Sequence, residues 1–212
     1  MAVPTTWTEL KAELAVWMIR DDLTSIIPNA IGYAEAGFQK TVFSPEREEQ
    51  ATIAFTSEVA NLPADFWGVR TAYWNGTSKV RLQQVTVSKL REDYPTTATG
   101  TPVAFAIEGE TMLLGPPPSS GDVELTYWET IPVLSGSNAT NWLLTDHPEL
   151  YVAASLAYLF RYTRHFDEAA NWANATAAMI EQVNRSGRRR MTNSGPIAAS
   201  PSKSDQILSV IR

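Results

Sequence analysis

The sequence predicts an α+β protein: an α-helical bundle of N-terminal and C-terminal helices, an inserted antiparallel β-sheet domain, and an extended C-terminal arm. Three observations carry this. Apolar residues recur at helical spacing near both ends, the period changes to alternation between them, and large apolar residues become sparse after Gly187. The implied boundaries are 1–45 for the N-terminal helices, 46–139 for the β insertion, 140–184 for the C-terminal helices and 185–212 for a flexible basic arm.

Thr6 and Glu9 form a capping-box pair, and Trp7, Leu10, Leu14, Trp17 and Met18 follow at helical spacing, which predicts a helix over 7–20 closed by Asp21-Asp22. A second helix starts at Pro28, where the missing N–H costs nothing, and carries Ile27, Ile31, Ala34, Phe38 and Val42 on one stripe. Gly32 and Gly37 interrupt it, and are read as sites of close helix contact.

Residues 51–55 and 58–62 read as short strands, and 68–74 with 77–85 as a hairpin turned by Asn75-Gly76 in type I′. Ser88 is placed to cap one helical turn closed by Tyr94-Pro95. A second hairpin joins 103–107 to 111–114 through Glu108-Gly109-Glu110, and Pro116 to Gly121 reads as a surface loop. The strand 123–130 puts Val123, Leu125 and Tyr127 on one face and Glu124, Thr126 and Trp128 on the other. Asp146 and Glu149 make a second capping arrangement around Pro148, and the helix that follows is apolar on nearly every side until Arg161, so it is expected to be packed on both flanks. A last helix over 167–184 ends at Arg185 and Gly187.

The formal net charge of −6 conceals an asymmetry: residues 1–184 hold 11 Lys/Arg against 22 Asp/Glu, whereas 185–212 hold 6 against 1. Neutralising phosphates needs a concentrated Lys/Arg surface, so the acidic body argues against a DNA-binding face. The chain has no cysteine, which removes disulfides, thiolate nucleophiles and Cys-ligated zinc together. The longest apolar run, Leu150 to Phe160, is far short of the roughly 20 residues a membrane span needs, and a soluble protein with no membrane contact is expected.

Catalysis finds no foothold. His147 and His165 sit where a helix starts or ends, without ligand spacing, and clustered carboxylates such as Glu108/Glu110 or Glu46/Glu48/Glu49 read as solvated charge. No nucleophile elbow and no phosphate-cradling glycine loop occurs, so no enzyme activity, cofactor or metal is expected. Trp67, Trp74 and Trp128 on sheet faces could stack on bases or sugars, but core or subunit packing is the favoured role for the seven tryptophans.

The order of segments then becomes informative: LPADF (62–66), YWNG (73–76), a short helix ending YP (94–95), IEGETMLLGPPP (107–118), LTYWETIPVLS (125–135), TNWLLTDHPELYVAASLAYL (140–159) and a final helix with Trp172. From about 7 to 184 this resembles the head-to-tail adaptor (connector) proteins of short-tailed bacteriophages. The resemblance implies a non-enzymatic virion protein of the neck, made in the host cytoplasm. It implies a ring of usually twelve subunits beneath the portal protein, a β-rich insertion reaching toward the tail and its nozzle proteins, and a channel through which DNA passes without sequence-specific binding. No matching motif covers 185–212, so position and composition alone assign portal docking to Arg188, Arg189, Arg190, Ile207, Leu208, Val210 and Ile211. Trp7, Trp17 and Trp172 are the expected subunit-interface residues of the homo-oligomer. The competing readings are a tail-tube or tail-completion subunit and a carbohydrate- or receptor-binding tail component.

Overall fold

A computed structural model of the chain describes residues 3–20, 22–76, 78–95 and 99–191. Helices α1 (Trp7–Met18) and α2 (Ile27–Thr41) lead through a 3-10 turn at Pro45–Arg47 into strands β1 (Glu48–Phe55), β2 (Val59–Asn61), β3 (Phe66–Asn75), β4 (Lys79–Arg81) and β5 (Gln83–Gln84). After α3 (Val87–Asp93) come β6 (Ala104–Glu108), β7 (Thr111–Gly115) and β8 (Gly121–Glu129), then α4 (Trp142–Asp146), α5 (Pro148–Tyr162) and α6 (Phe166–Met191).

The helical core forms around α5, which packs against α1, α2, α4 and α6. Its buried set joins Leu10 and Leu14 of α1 to Ile31 and Phe38 of α2 and to Leu150, Leu156 and Leu159 of α5. The capping box holds α1 as expected, Glu9 N donating to Thr6 Oγ1 and Thr6 N to a Glu9 carboxylate oxygen. The helix stops at Met18, two residues early, because Ile19 turns left-handed at φ 52°.

The β insertion is two four-stranded sheets, in the orders β1-β8-β3-β4 and β2-β7-β6-β5. They share one core, with Phe55, Trp74, Val123 and Leu125 from the first sheet meeting Phe105, Met112 and Leu114 from the second. On the outer side of the second sheet α3 sets Leu90 against Ala104, Ala106 and Leu113. Val123, Leu125 and Tyr127 of β8 point into the core, matching the alternation in sequence.

Several local expectations are corrected. The stretch 77–85 is not one strand: after β4, Leu82 is buried and β5 joins the second sheet, where it runs parallel to β6, so that sheet is mixed. Asn75 pairs with Lys79, and neither Asn75 nor Gly76 has the positive φ of a type I′ turn. Gly76 is there for space instead: a methyl group on it would come within 2.6 Å of Trp74 Nε1. The second hairpin does turn at Gly109, whose φ is +63°. Thr86, not Ser88, caps α3, and Asn141 caps α4, of which Asp146 is the last residue; no side chain caps α5. Pro117 and Pro118 are buried rather than part of a fully exposed loop.

The largest departure is α6, which runs past Arg185 and Gly187 to Met191. Gly187 ends nothing; it is buried where the helix crosses the 3-10 turn, and a methyl there would come within 2.8 Å of Pro45 Cδ. The close contact expected at Gly32 and Gly37 is found here, since nothing lies within 4 Å of a methyl at either of those positions. Arg188, Arg189 and Arg190 therefore stand on a helix, with Arg190 paired to Glu46.

Polar groups from α2 and the 3-10 turn lock the insertion to the helices. Fully buried Arg47 donates from Nη1 to Val42 O (2.7 Å) and Gln39 O (3.2 Å) at the C-terminal end of α2, and from Nε to Glu129 O (2.9 Å) at the end of β8. Burial lowers its pKa, yet an arginine keeps its charge, and the negative end of the helix dipole faces it. One turn apart on α2, Gln39 and Glu35 take over the backbone of the returning chain. Gln39 pairs with both N–H and C=O of Ile131, and Glu35 accepts from Leu134 N at 2.8 Å and from the Tyr151 hydroxyl at 3.2 Å.

Candidate assembly surfaces

A helix laid on another leaves a furrow on each side, and α6 lies on α5. The first furrow opens between α2 and α6 and holds a groove of about 580 Å³. Its floor is small: Gly37, Ala154, Ala157, Ala169 and Ala173 let the flanking helices stand apart without filling the space between them. Tyr158 (37% exposed) and Phe166 (64%) line it, Tyr33 (62%) stacks on Tyr158 at 5.5 Å, and Tyr162 (60%) borders the hollow beside Tyr33. Arg161 lines both this groove and the adjoining hollow of about 310 Å³ beside Tyr33, and among the described residues its guanidinium has no hydrogen bond or ion pair.

The second furrow opens between α1 and α6, with a groove of about 380 Å³. Trp17 and Trp172 meet edge to face there, 5.5 Å between centroids, with Val3, Val152 and Met179 beside them. Two carboxylates border it. Glu13 accepts from Trp17 Nε1 at 2.9 Å, and exposed Glu149 lies 3.8 Å from His147 Nδ1. Val16 and Ile19 of the same end of α1 are 51% and 90% exposed.

Exposed aromatic and aliphatic groups in contiguous patches mark surfaces that another protein covers, because leaving them wet forgoes roughly 25 cal/mol per Å². Large aromatics and arginine are the residue types that carry most binding energy in such patches. The two faces thus have the chemistry of protein contacts and nothing resembling a reaction centre; no metal-holding group of His, Asp and Glu occurs among the described residues.

Of the residues expected from sequence, Trp17 and Trp172 come together on the second face. Trp7 lies elsewhere, half-buried against the helical core, its backbone N–H donating to Ala139 O at 2.6 Å and Lys11 lying over its ring. Ile207, Leu208, Val210 and Ile211 lie outside the described residues. Trp74 is buried, so it offers no stacking platform, while Trp67 and Trp128 cluster with Phe43 on the face of the first sheet, each under an arginine, Arg47 and Arg70. Both histidines do lie at helix ends, His147 preceding α5 and His165 preceding α6.

Tyr33, Tyr158, Arg161, Tyr162 and Phe166 were not singled out by the sequence. A signal existed: Tyr158, Arg161 and Tyr162 fall at i, i+3 and i+4, one face of a helix. The apolar run before Arg161, which predicts a helix packed on both flanks, masks it.

Comparison with known proteins agrees with assembly. The family model of the SU10 adaptor protein matches residues 5–200. No curated protein matches the chain.

Proposed function

Since the chain belongs to the SU10 adaptor protein family, and is a structural head-tail adaptor of a bacteriophage, we propose that it closes a ring, of twelve subunits, between the portal and the tail. In this reading the helical core forms the ring wall, the β sandwich reaches toward the tail and nozzle proteins, and the C-terminal segment holds the portal. DNA passes through the central channel without sequence-specific contacts.

The observation that carries this reading is the pair of uncovered apolar faces on the two flanks of α6. A monomer with one such face makes a dimer; two unlike faces allow each copy to contact two neighbours, and such contacts close into a ring when the rotation permits. The described residues hold fifteen Lys/Arg against an Asp/Glu excess even when the basic end of α6 is included, and an acidic wall repels the phosphate backbone and lets it slide.

The purified chain is to be mixed with the portal complex of the same phage and imaged by electron microscopy. Added ring density beneath the portal, with subunits in register with it, is the expected result. A portal that gains no density overturns the reading.

A further inference from the structure

We propose that neighbouring copies meet through unlike faces: the α2/α6 furrow of one copy receives the α1 edge of the next, and Arg161 meets the carboxylates of Glu149 and Glu13 across the contact. This rests on the ring reading and adds to it which surfaces touch and what fixes their register.

Charge complementarity chooses the occupant. Arg161 is the one Lys/Arg among the residues that line the first groove and its adjoining hollow, where Tyr158 lines both and Phe166 the groove, and neither lining holds a carboxylate. The second has two carboxylates, Glu13 and Glu149, and no cation in its groove lining. A two-fold contact pairs each face with itself, which brings two Arg161 guanidinia into one patch without a carboxylate from either groove lining, or two sets of Glu13 and Glu149 into one without a cation. Like charges brought together in a drying interface repel, whereas the crosswise arrangement sets cation against anion.

Shape agrees. The α2/α6 furrow is concave with a floor of alanine and glycine, so it admits side chains from outside. At the α1 edge Val16, Trp17 and Ile19 are exposed and available to enter it. On α6 the residues of the two grooves are distinct. Ala169, Ala173, Thr176 and Ile180 share one side, and Trp172 with Met179 lies roughly 80° round the helix at 3.6 residues per turn. One copy can therefore use both faces at once. Burial of the arginine among Tyr158, Tyr162 and Phe166 also suits its chemistry, since a guanidinium stacks on rings while its edge stays free for a carboxylate.

The chain has no cysteine, so introduced thiols report contacts without background. Val16→Cys and Tyr162→Cys, both at exposed positions, are to be made singly and together in the full chain, and treated with a short bismaleimide alone and with the portal present. The expected result is a ladder of covalent oligomers from the double variant, a dimer from the mixed single variants, and neither variant linking to itself. Self-linking by one variant alone identifies a two-fold contact and overturns the proposal. If the furrow instead holds the C-terminal segment, Tyr162→Cys links to Leu208→Cys and the ladder disappears, which also overturns it. Rings seen by microscopy without the ladder refute the face assignment and leave the ring reading standing; no assembly with or without portal refutes both.

Charge reversal supplies the second measurement. Arg161→Glu lies at an exposed position, and is expected to weaken assembly at least about tenfold, with circular dichroism unchanged. Glu149→Arg added to the same chain restores assembly, because each reversed cation then meets a reversed carboxylate on its neighbour. Assembly by Arg161→Glu at the concentration that suffices for the unaltered chain removes the ion pair from the proposal and with it the register.

Discussion

Glu35 shows how one buried charge can serve the fold and cost it stability. It is 5% exposed, and burial holds its carboxyl above the ordinary carboxylate range despite hydrogen bonds from Leu134 N and the Tyr151 hydroxyl. Both donors favour the ionised form, but neither supplies a full positive charge, so desolvation wins. A folded pKa above the unfolded one means that the folded protein binds the proton more tightly. The associated stability is complete below the unfolded value and is lost as pH rises through the raised value. Glu35→Gln keeps the acceptor oxygen and removes the charge. It is expected to stabilise the protein by about 1 kcal/mol at pH 8 and less at pH 5, measured by urea unfolding at the two pH values. Identical pH dependence in variant and unaltered protein contradicts this account. The tyrosines follow the same physics: burial first, then its bond to Asp65, pushes the Tyr127 hydroxyl up to about 12, and burial raises Tyr151 further.

At the scale of elements, α6 has to cross the Ser44–Pro45 turn closely enough for Arg190 to reach Glu46 and for Asn184 to bond Thr41 O and Phe43 N. Replacing glycine by alanine in an open helix gains up to about 1 kcal/mol, and Gly32→Ala should show that gain as a higher melting temperature. At Gly187 the added methyl meets the Pro45 ring at 2.8 Å and backbone Ser44 Cα at 3.3 Å, and neither can swing away as a flexible side chain can. Gly187→Ala is therefore expected to cost about 1–3 kcal/mol, the ordinary penalty of overpacking, and to lower the melting temperature. A rise in both variants refutes the close crossing. The same glycine explains what the sequence could disclose. Periodicity is local, so α1, α2, α5 and the facing of β8 were legible from their own residues. Gly187, two residues after Arg185, has the local signature of a helix end, and only a partner 142 residues earlier in the chain, Pro45, makes it an interior contact. Asn75-Gly76 misled for the same reason, because the glycine answers to the Trp74 indole rather than to a turn. The division into two sheets depends on pairings such as β1 with β8, which no short window contains. Of the assembly surfaces, the Trp17–Trp172 face was legible as surplus tryptophan at helical spacing, while the Tyr158 and Arg161 face depends on how far apart α2 and α6 stand.

For the whole molecule, the length of α6 changes where the basic charge lies. Arg185, Arg188, Arg189 and Arg190 belong to the helix, and beyond Met191 only Lys203 and Arg212 stand against Asp205. The segment 192–212 is therefore nearly neutral, so in the proposed portal docking its expected anchors are Ile207, Leu208, Val210 and Ile211 rather than charge. Charge and apolar surface act on different steps of binding: rim charges set the rate of encounter and its salt dependence, whereas buried apolar anchors set the rate of release. Two variants separate them. Truncation after Met191 removes no described helix and keeps the Gly187 crossing and the Arg190–Glu46 pair, so the melting temperature should hold while portal binding is lost through faster dissociation. Arg188→Glu with Arg189→Glu in the full chain should slow association and flatten its salt dependence, with dissociation little changed. Both rates are read by surface plasmon resonance on immobilised portal at two salt concentrations. Binding that survives the truncation undiminished locates the portal contact on the body of the protein, and the apolar terminus then has no part in it.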